Sequence, residues 1–167
     1  MTGHLHGVTA VAVGRLGDRD VIVSGSHDNT VRIWDATGNP VGDPLIGHTN
    51  RVGVVAVGRL GDRDVIVSGS YDNTVRIWDT AGNPIGESLT GHIAAVTAVA
   101  VGRLNDRDII ISGSADATVR IWSVGGRPLG DPMYLVEPCT GLQLSRQGII
   151  VATGNAIALL AADRYSA

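Results

Sequence analysis

A unit of 44 residues occurs three times in succession in this chain. Each unit opens with Gly-His and carries a Trp 30 residues after that His. The markers are Gly3-His4, Gly47-His48 and Gly91-His92, followed by Trp34, Trp78 and Trp122. The first two units agree at 32 of 44 positions, and the second and third at 25 of 44. Identity at that level indicates recent internal duplication of one structural element.

Within a unit, runs of β-branched residues separated by polar turns predict strands. Residues 8–13 and 21–24 are almost continuously apolar, which favours strands covered on both faces. Residues 30–34 form a third expected strand, and residues 41–46 a short outer strand whose neighbouring proline suits a solvent-facing edge. Helical periodicity is absent, so the sequence predicts an all-β chain. A period of about 40–45 residues with these markers is typical of propeller blades, which bury their faces only against neighbouring blades.

In its Gly-His and Ile-Trp markers the chain resembles the WD40 repeat family. The resemblance implies a single β-propeller segment over residues 1–167, with three complete four-stranded blades and a degenerate three-stranded fourth. It is thus expected to be a partial or half propeller. The repeats are expected at residues 3–46, 47–90 and 91–134, with the degenerate closing repeat at 135–163.

The resemblance also implies a buried hydrogen-bonded tetrad of His, Ser, Asp and Trp in each of the three units. Its members are His4, Ser24, Asp28 and Trp34; His48, Ser68, Asp72 and Trp78; and His92, Ser112, Asp116 and Trp122. The same residue types make up a hydrolase triad, but a nucleophile needs an exposed hydroxyl and an oxyanion site. Three equivalent catalytic centres would also be unusual, so we expect no catalytic residues and no enzyme activity. In the fourth repeat we expect Ala152 at the Ser position and Leu160 at the Trp position.

No cofactor or metal is predicted from the sequence. The tetrad histidines occur one per unit, and no pair of histidines has the local spacing of a metal site. The Gly-Asp-Arg-Asp turns lack the dense oxygen spacing of a calcium loop and are expected to be solvated. No phosphate-binding loop is present.

A partner is expected at the narrow top of the propeller, the usual contact face in the family. The family positions that point there are Gly7, Thr9, His27, Arg51, Gly53, Tyr71, Ala95, Thr97 and Ala115. Six of these nine are small, and the exceptions form the candidate binding face: His27, Arg51 and Tyr71. Arg and Tyr are frequent hot-spot residues. Variation at these positions on a shared frame is typical of a binding face for protein or peptide, although drift at exposed positions would produce the same pattern.

Composition excludes some partners. The formal net charge of −3 provides no basic surface for nucleic acid or anionic membrane. No apolar run reaches the roughly 18 residues of a membrane span, and no signal peptide pattern is present. The single cysteine, Cys139, has no internal partner for a disulfide, which favours a cytoplasmic protein. Arginine without lysine suggests a GC-rich, bacterial source.

Two functions fit these observations: a non-catalytic interaction scaffold and a self-assembling structural unit. In the second, a half propeller dimerises into a closed ring, since two copies would supply about eight blades. We expect a homodimer, because each end of the stack would expose an apolar face. Those faces are expected at Val11, Val13, Ile22 and Ile33 in blade one and at Ile149, Val151 and Leu159 in blade four. A C-terminal sensor fragment of a larger bacterial signalling protein would leave the same faces open.

Overall fold

Strands and turns make up the chain in the computed structural model, which describes residues 2–145 and 147–161. Thirteen strands occur in that part, and no helix does. They are β1 (Val8–Leu16), β2 (Arg19–Ser26), β3 (Val31–Asp35), β4 (Val52–Leu60), β5 (Arg63–Ser70), β6 (Val75–Trp78), β7 (Val96–Leu104), β8 (Arg107–Ser114), β9 (Thr118–Ser123), β10 (Met133–Tyr134), β11 (Cys139–Ser145), β12 (Gly148–Thr153) and β13 (Ala156–Ala161). The all-β prediction is confirmed. The predicted end of the closing repeat, residues 162–163, lies outside the described residues.

The strands form four antiparallel sheets, one for each repeat. Their orders are β1-β2-β3, β4-β5-β6, β10-β9-β8-β7 and β11-β12-β13, and we call them blades one to four. The first strands lie side by side, with β1 against β4, β4 against β7 and β7 against β11. The blades are therefore stacked in chain order, with β1, β4, β7 and β11 on the inner side.

The predicted outer strand is regular only in blade three, where Met133 and Tyr134 pair with β9. In blade one the outer segment follows β3 through isolated bridges, and the Leu45 amide donates to the Val31 carbonyl at 2.8 Å. Blade two shows the same bridges.

Apolar side chains fill the space between consecutive blades. We call the side of a blade that carries its Trp position the near face, and the opposite side the far face. Between blades one and two, the far-face residues Val23, Val31 and Ile33 pack against the near-face residues Val52, Val55, Ile66 and Trp78. Equivalent clusters join blades two and three, and blades three and four. Blades two, three and four thus bury their near faces against the preceding blade.

Glycines on the far face set the spacing between blades. A Cβ atom built on Gly25 would lie 2.6 Å from Cγ1 of Val52, and one on Gly14 would lie 2.5 Å from Cγ1 of Val57. These distances are far below van der Waals contact, so only glycine allows the next blade to approach this closely. The junction between blades two and three repeats both contacts at Gly58 and Gly69.

Within the described residues, two faces of the stack have no blade against them: the near face of blade one and the far face of blade four. Val11 is 62% exposed, whereas its equivalent in blade two, Val55, is only 7% exposed. Val13 is also exposed in blade one, as are Ile157 and Leu159 in blade four.

Three residues predicted for these open faces are buried instead. Ile33 packs against blade two, and Ile149 and Val151 pack against blade three. The prediction was wrong for all three because side chains alternate along a strand, and these point to the covered face. The open face of blade four carries Ile150, Ile157 and Leu159.

Candidate functional site

The four residues of each predicted tetrad are brought together by three consecutive hydrogen bonds. In blade one, Trp34 Nε1 donates to Ser24 Oγ at 2.8 Å, Ser24 Oγ lies 2.8 Å from His4 Nε2, and His4 Nδ1 lies 2.9 Å from Asp28 Oδ2. The three distances are 2.8, 2.8 and 2.8 Å in blade two. They are 2.8, 2.9 and 3.0 Å in blade three.

Local structure explains how these residues meet. His4 lies in the segment that enters β1, Ser24 lies on β2, and Trp34 lies on the adjacent strand β3. Asp28 is in the turn between β2 and β3, where Asn29 adopts a φ of +68°, a conformation that asparagine tolerates well. The second carboxylate oxygen of Asp28 accepts from the amide and hydroxyl of Thr30. The tetrad therefore ties the entry segment to the turn.

The tetrad aspartates are stabilised as anions. Burial raises the pKa of Asp116, but hydrogen bonds from Thr118, the Ile93 amide and His92 outweigh that effect and lower it to about 2. The pKa values of Asp28 and Asp72 also lie well below the ordinary range, because their hydrogen bonds outweigh the cost of burial. Burial lowers the pKa of His92, although Asp116 partly opposes the shift.

The serine hydroxyls are poorly placed to attack a substrate. Ser68 and Ser112 are fully buried between blades, and each already accepts a hydrogen bond from a tryptophan. Ser24 is also buried, but it lines a groove on the open near face of blade one. That groove exists because no blade covers this face within the chain.

Blade four has apolar residues where the other blades have the tetrad. Leu142 pairs with Val151 in the register in which Val11 pairs with Ser24, so Val151 occupies the Ser position. The predicted assignment of Ala152 to that position was wrong by one residue, because Ala152 pairs with Gly141. Leu160 pairs with Ile149 as Trp34 pairs with Ile22, so it occupies the Trp position as expected.

Two of the three predicted binding-face residues are in contact. The guanidinium carbon of Arg51 lies 3.6 Å from the centroid of the Tyr71 ring, a cation–π arrangement. The Tyr71 amide also donates to the Arg51 carbonyl at 3.0 Å. A Cβ on Gly53 would lie 3.0 Å from Tyr71 Cε2, so glycine makes room for the ring. His27 is exposed in the corresponding turn of blade one, where its amide donates to Gly7.

Hydrogen bonds between blades were missed by sequence reasoning. The Gly17 amide donates to Asp64 Oδ2 at 2.7 Å, and the Gly61 amide donates to Asp108 Oδ2 at 2.9 Å. The turns predicted to be merely solvated thus connect neighbouring blades. The available signal was an Asp repeated at the same position in all three units, at 20, 64 and 108.

The repeated sheets and tetrads define a segment of a β-propeller, and sequence comparison identifies its family. The family model "WD domain, G-beta repeat" matches residues 1–35, 38–79 and 82–123. The chain belongs to the WD40 family, whose domains generally bind protein partners. No curated protein sequence matches it significantly. Within the described residues, no helix is long and apolar enough to cross a membrane.

Solved structures confirm the propeller fold. The computationally designed Ika4 protein matches with a TM-score of 0.77 and 28% identity, over 95% of this chain and 93% of that chain. The designed Ika8 protein matches with a TM-score of 0.76 and 29% identity, over 95% of this chain and 47% of that chain. The WD40 domain of Doa1 matches with a TM-score of 0.76 and 21% identity, over 95% of this chain and 52% of that chain. The chain thus spans about half the length of the latter two.

Solved structures with this fold are numerous, since 1039 chains match. A fold shared so widely does not single out a function. Function has to be argued from the residues that vary on the common frame.

Proposed function

We propose that this protein is a non-catalytic, cytoplasmic scaffold that binds a protein or peptide through the top of its blades. The observation that carries the proposal is the contact between Arg51 and Tyr71. Both residues are of types enriched at interface hot spots. Blades one and three carry smaller or different residues at these positions, so the pair is specific to blade two.

The Arg51–Tyr71 pair is organised before a partner binds. Arg51 packs on the face of the Tyr71 ring, and Gly53 leaves room for the ring beside it. Because the ring is already positioned, less side-chain entropy is lost when a partner binds. Tyr71 remains 38% exposed and presents an aromatic surface. A partner with an apolar side chain beside a carboxylate would contact the ring and pair with the guanidinium. His27, in the adjacent blade, extends the proposed surface.

The tetrads have a structural role in this proposal. They satisfy polar groups that would otherwise be buried without partners. Ser68 and Ser112 lie between stacked sheets, where a substrate has no access. We therefore assign no catalytic role to the tetrad residues.

Peptides selected for binding from a displayed random library provide the test. Affinity for the selected peptides should fall at least tenfold in Arg51→Ala or Tyr71→Ala, with little change in thermal stability. Arg59→Ala is the matched control, because Arg59 is exposed near the end of β4, where it donates to the Gly61 carbonyl and makes an exposed contact with Asp62. Peptides whose affinity is indifferent to Arg51→Ala, Tyr71→Ala and His27→Ala would contradict the proposed surface.

A second function, assembly of a half propeller into a closed ring, is favoured by the two open apolar faces. Val11 and Val13 at one end and Ile157 and Leu159 at the other are exposed, and exposed apolar patches of this kind mark association sites. Two chains related by a two-fold axis would cover both faces and provide eight blades. Further blades of a longer signalling protein would cover them equally, and the mass of the assembled chain distinguishes the two.

A further inference from the structure

The two open faces are opposite halves of one type of junction. On the near face of blade one, Val8, Val11, Val13 and Ile22 occupy the positions that Val52, Val55, Val57 and Ile66 occupy in blade two. In blade two those positions are packed against blade one. Blade one therefore exposes the half of the junction that inserts into a preceding blade.

Blade four exposes the receiving half. Its residues Ile150, Ile157 and Leu159 occupy the positions of Val23, Val31 and Ile33, which receive blade two on the far face of blade one. They border a concave surface together with Ser145 and Gln147.

The glycines of this receiving half are transposed. In blade one, the two far-face pairs that contain a glycine are Ala10 opposite Gly25 and Val21 opposite Gly14. In blade four the corresponding pairs are Gly141 with Ala152 and Gly148 with Ser145. Both glycines have therefore moved to the opposite strand of the pair. Blades two and three keep the arrangement of blade one.

We propose that the far face of blade four binds the near face of blade one from a second copy of this chain. Val8 and Val13 of that copy lie against Gly141 and Gly148 rather than against Ala152 and Ser145. We call this shifted position the displaced seat. This inference rests on the proposed ring assembly and specifies how its two junctions are made. The contact is head to tail, so two copies form two identical junctions around the two-fold axis.

Steric reasoning requires the displaced seat. In the internal junctions, Val52 and Val57 approach positions at which even a Cβ atom would overlap them. Ala152 and Ser145 place side chains at the equivalent positions, so Val8 and Val13 of the second copy cannot sit where their counterparts do. Gly141 and Gly148 carry no side chain, and a Cβ on Gly141 would meet only Ala152 Cβ, at 3.5 Å. The junction between copies thus differs from the three junctions within the chain.

A complementation experiment tests the head-to-tail contact in the full chain. Val13→Arg alters only the near face, and Ile157→Arg alters only the far face; both residues are more than 70% exposed, so each variant should fold. Each variant alone should be monomeric by sedimentation velocity, because each lesion is present in both junctions of a ring. An equimolar mixture should form a one-to-one heterodimer, since one junction is then wild type on both sides.

The outcomes distinguish failure of the ring assembly from failure of the head-to-tail junction. A wild-type chain that is monomeric would overturn the ring assembly itself. If the wild type dimerises and either variant dimerises equally well, or the mixture stays monomeric, the head-to-tail junction is wrong while assembly stands. Circular dichroism melting of each variant checks that it is folded.

Two single-methyl changes test the displaced seat. Gly141→Ala should weaken dimerisation at least tenfold, because it fills the proposed seat; its Cβ would lie 3.5 Å from Ala152 Cβ, an ordinary contact within the blade. Ala152→Gly should change the dimer dissociation constant less than threefold. The reverse result, with Ala152→Gly strengthening the dimer and Gly141→Ala neutral, would show that the internal geometry is repeated and overturn the displaced seat.

Discussion

Blades two and four have the same strand order and the same pairing register, but they bury different chemistry. Blade two holds a hydrogen-bonded chain that runs from Trp78 through Ser68 and His48 to Asp72. Blade four has Val151 and Leu160 at the Ser and Trp positions. Strand pairing and an apolar face are therefore enough to form a blade. The tetrad adds a connection between the entry segment and the turn.

Replacing the whole tetrad by apolar residues is physically different from removing one of its four members. A buried donor or acceptor that loses its partner costs about 1–3 kcal/mol, whereas replacement of both partners by apolar groups can be nearly neutral. Blade four represents the complete replacement. Partial replacement in blade two should therefore be costly.

The largest expected effect is that of Trp78→Ala. Trp78 is almost fully buried between blades one and two and donates to Ser68. Its loss should reduce the free energy of unfolding by roughly 3–5 kcal/mol, as for other buried aromatic residues. Urea denaturation would measure this. Leu160→Ala in blade four, where the side chain is only half-buried, should cost less, and equal losses would break the comparison.

Loss of one polar member should have the next largest effect. Asp72 accepts hydrogen bonds from His48, the Thr49 amide and Thr74, so Asp72→Ala should cost about 1–3 kcal/mol by leaving buried donors unpaired. Asp62→Ala, at a fully exposed turn, is the control and should be nearly neutral. An Asp72→Ala variant with unchanged melting temperature and a lost activity would revive a catalytic interpretation.

Acid should destabilise blade three in two stages. Burial holds the pKa of His92 below 6.5, so below that pH the unfolded chain takes up a proton that the folded chain does not, and the free energy of unfolding falls. The stability contributed by ionised Asp116 is present above its ordinary pKa of 3.8 and is lost as the pH falls through about 2. Urea denaturation from pH 7.5 to about pH 2 measures both stages. His92→Gln should remove the first, and a wild-type profile that is flat between pH 7 and pH 5 would contradict this account.

The smallest effect on stability should come from the proposed binding face. Arg51→Ala removes one cation–π contact at a partly exposed site and should change the free energy of unfolding by about 0.5–1 kcal/mol or less. A loss above about 2 kcal/mol would show that Arg51 supports the fold. Thermal melting of Arg51→Ala and Trp78→Ala under the same conditions compares the two losses of stability directly.

The sequence predicted the blades and the tetrad positions well because both repeat. Three copies fix the positions of Trp34, Trp78 and Trp122 even without strand geometry. The fourth repeat has no such markers, so the Ser position was assigned to Ala152, one residue from Val151. A one-residue error reverses the face to which a side chain points, and the open face of blade four was mispredicted at Ile149 and Val151 for the same reason.

Contacts between blades could not be predicted from one unit alone. The hydrogen bond from Gly17 to Asp64 and the approach of Val52 to Gly25 depend on how two sheets stack. The repeated sequence shows that these residues recur, but it does not show what they touch.

We propose that the two open ends of the stack are complementary and that each binds the opposite end of a second copy. Light scattering of the unmodified chain at tens of micromolar, coupled to size exclusion, tests it most directly. We predict a particle of twice the 17.3 kDa chain mass, with a cooperative melting transition that moves to higher temperature as protein concentration rises. A 17.3 kDa monomer that melts cooperatively at a temperature independent of concentration would contradict the claim.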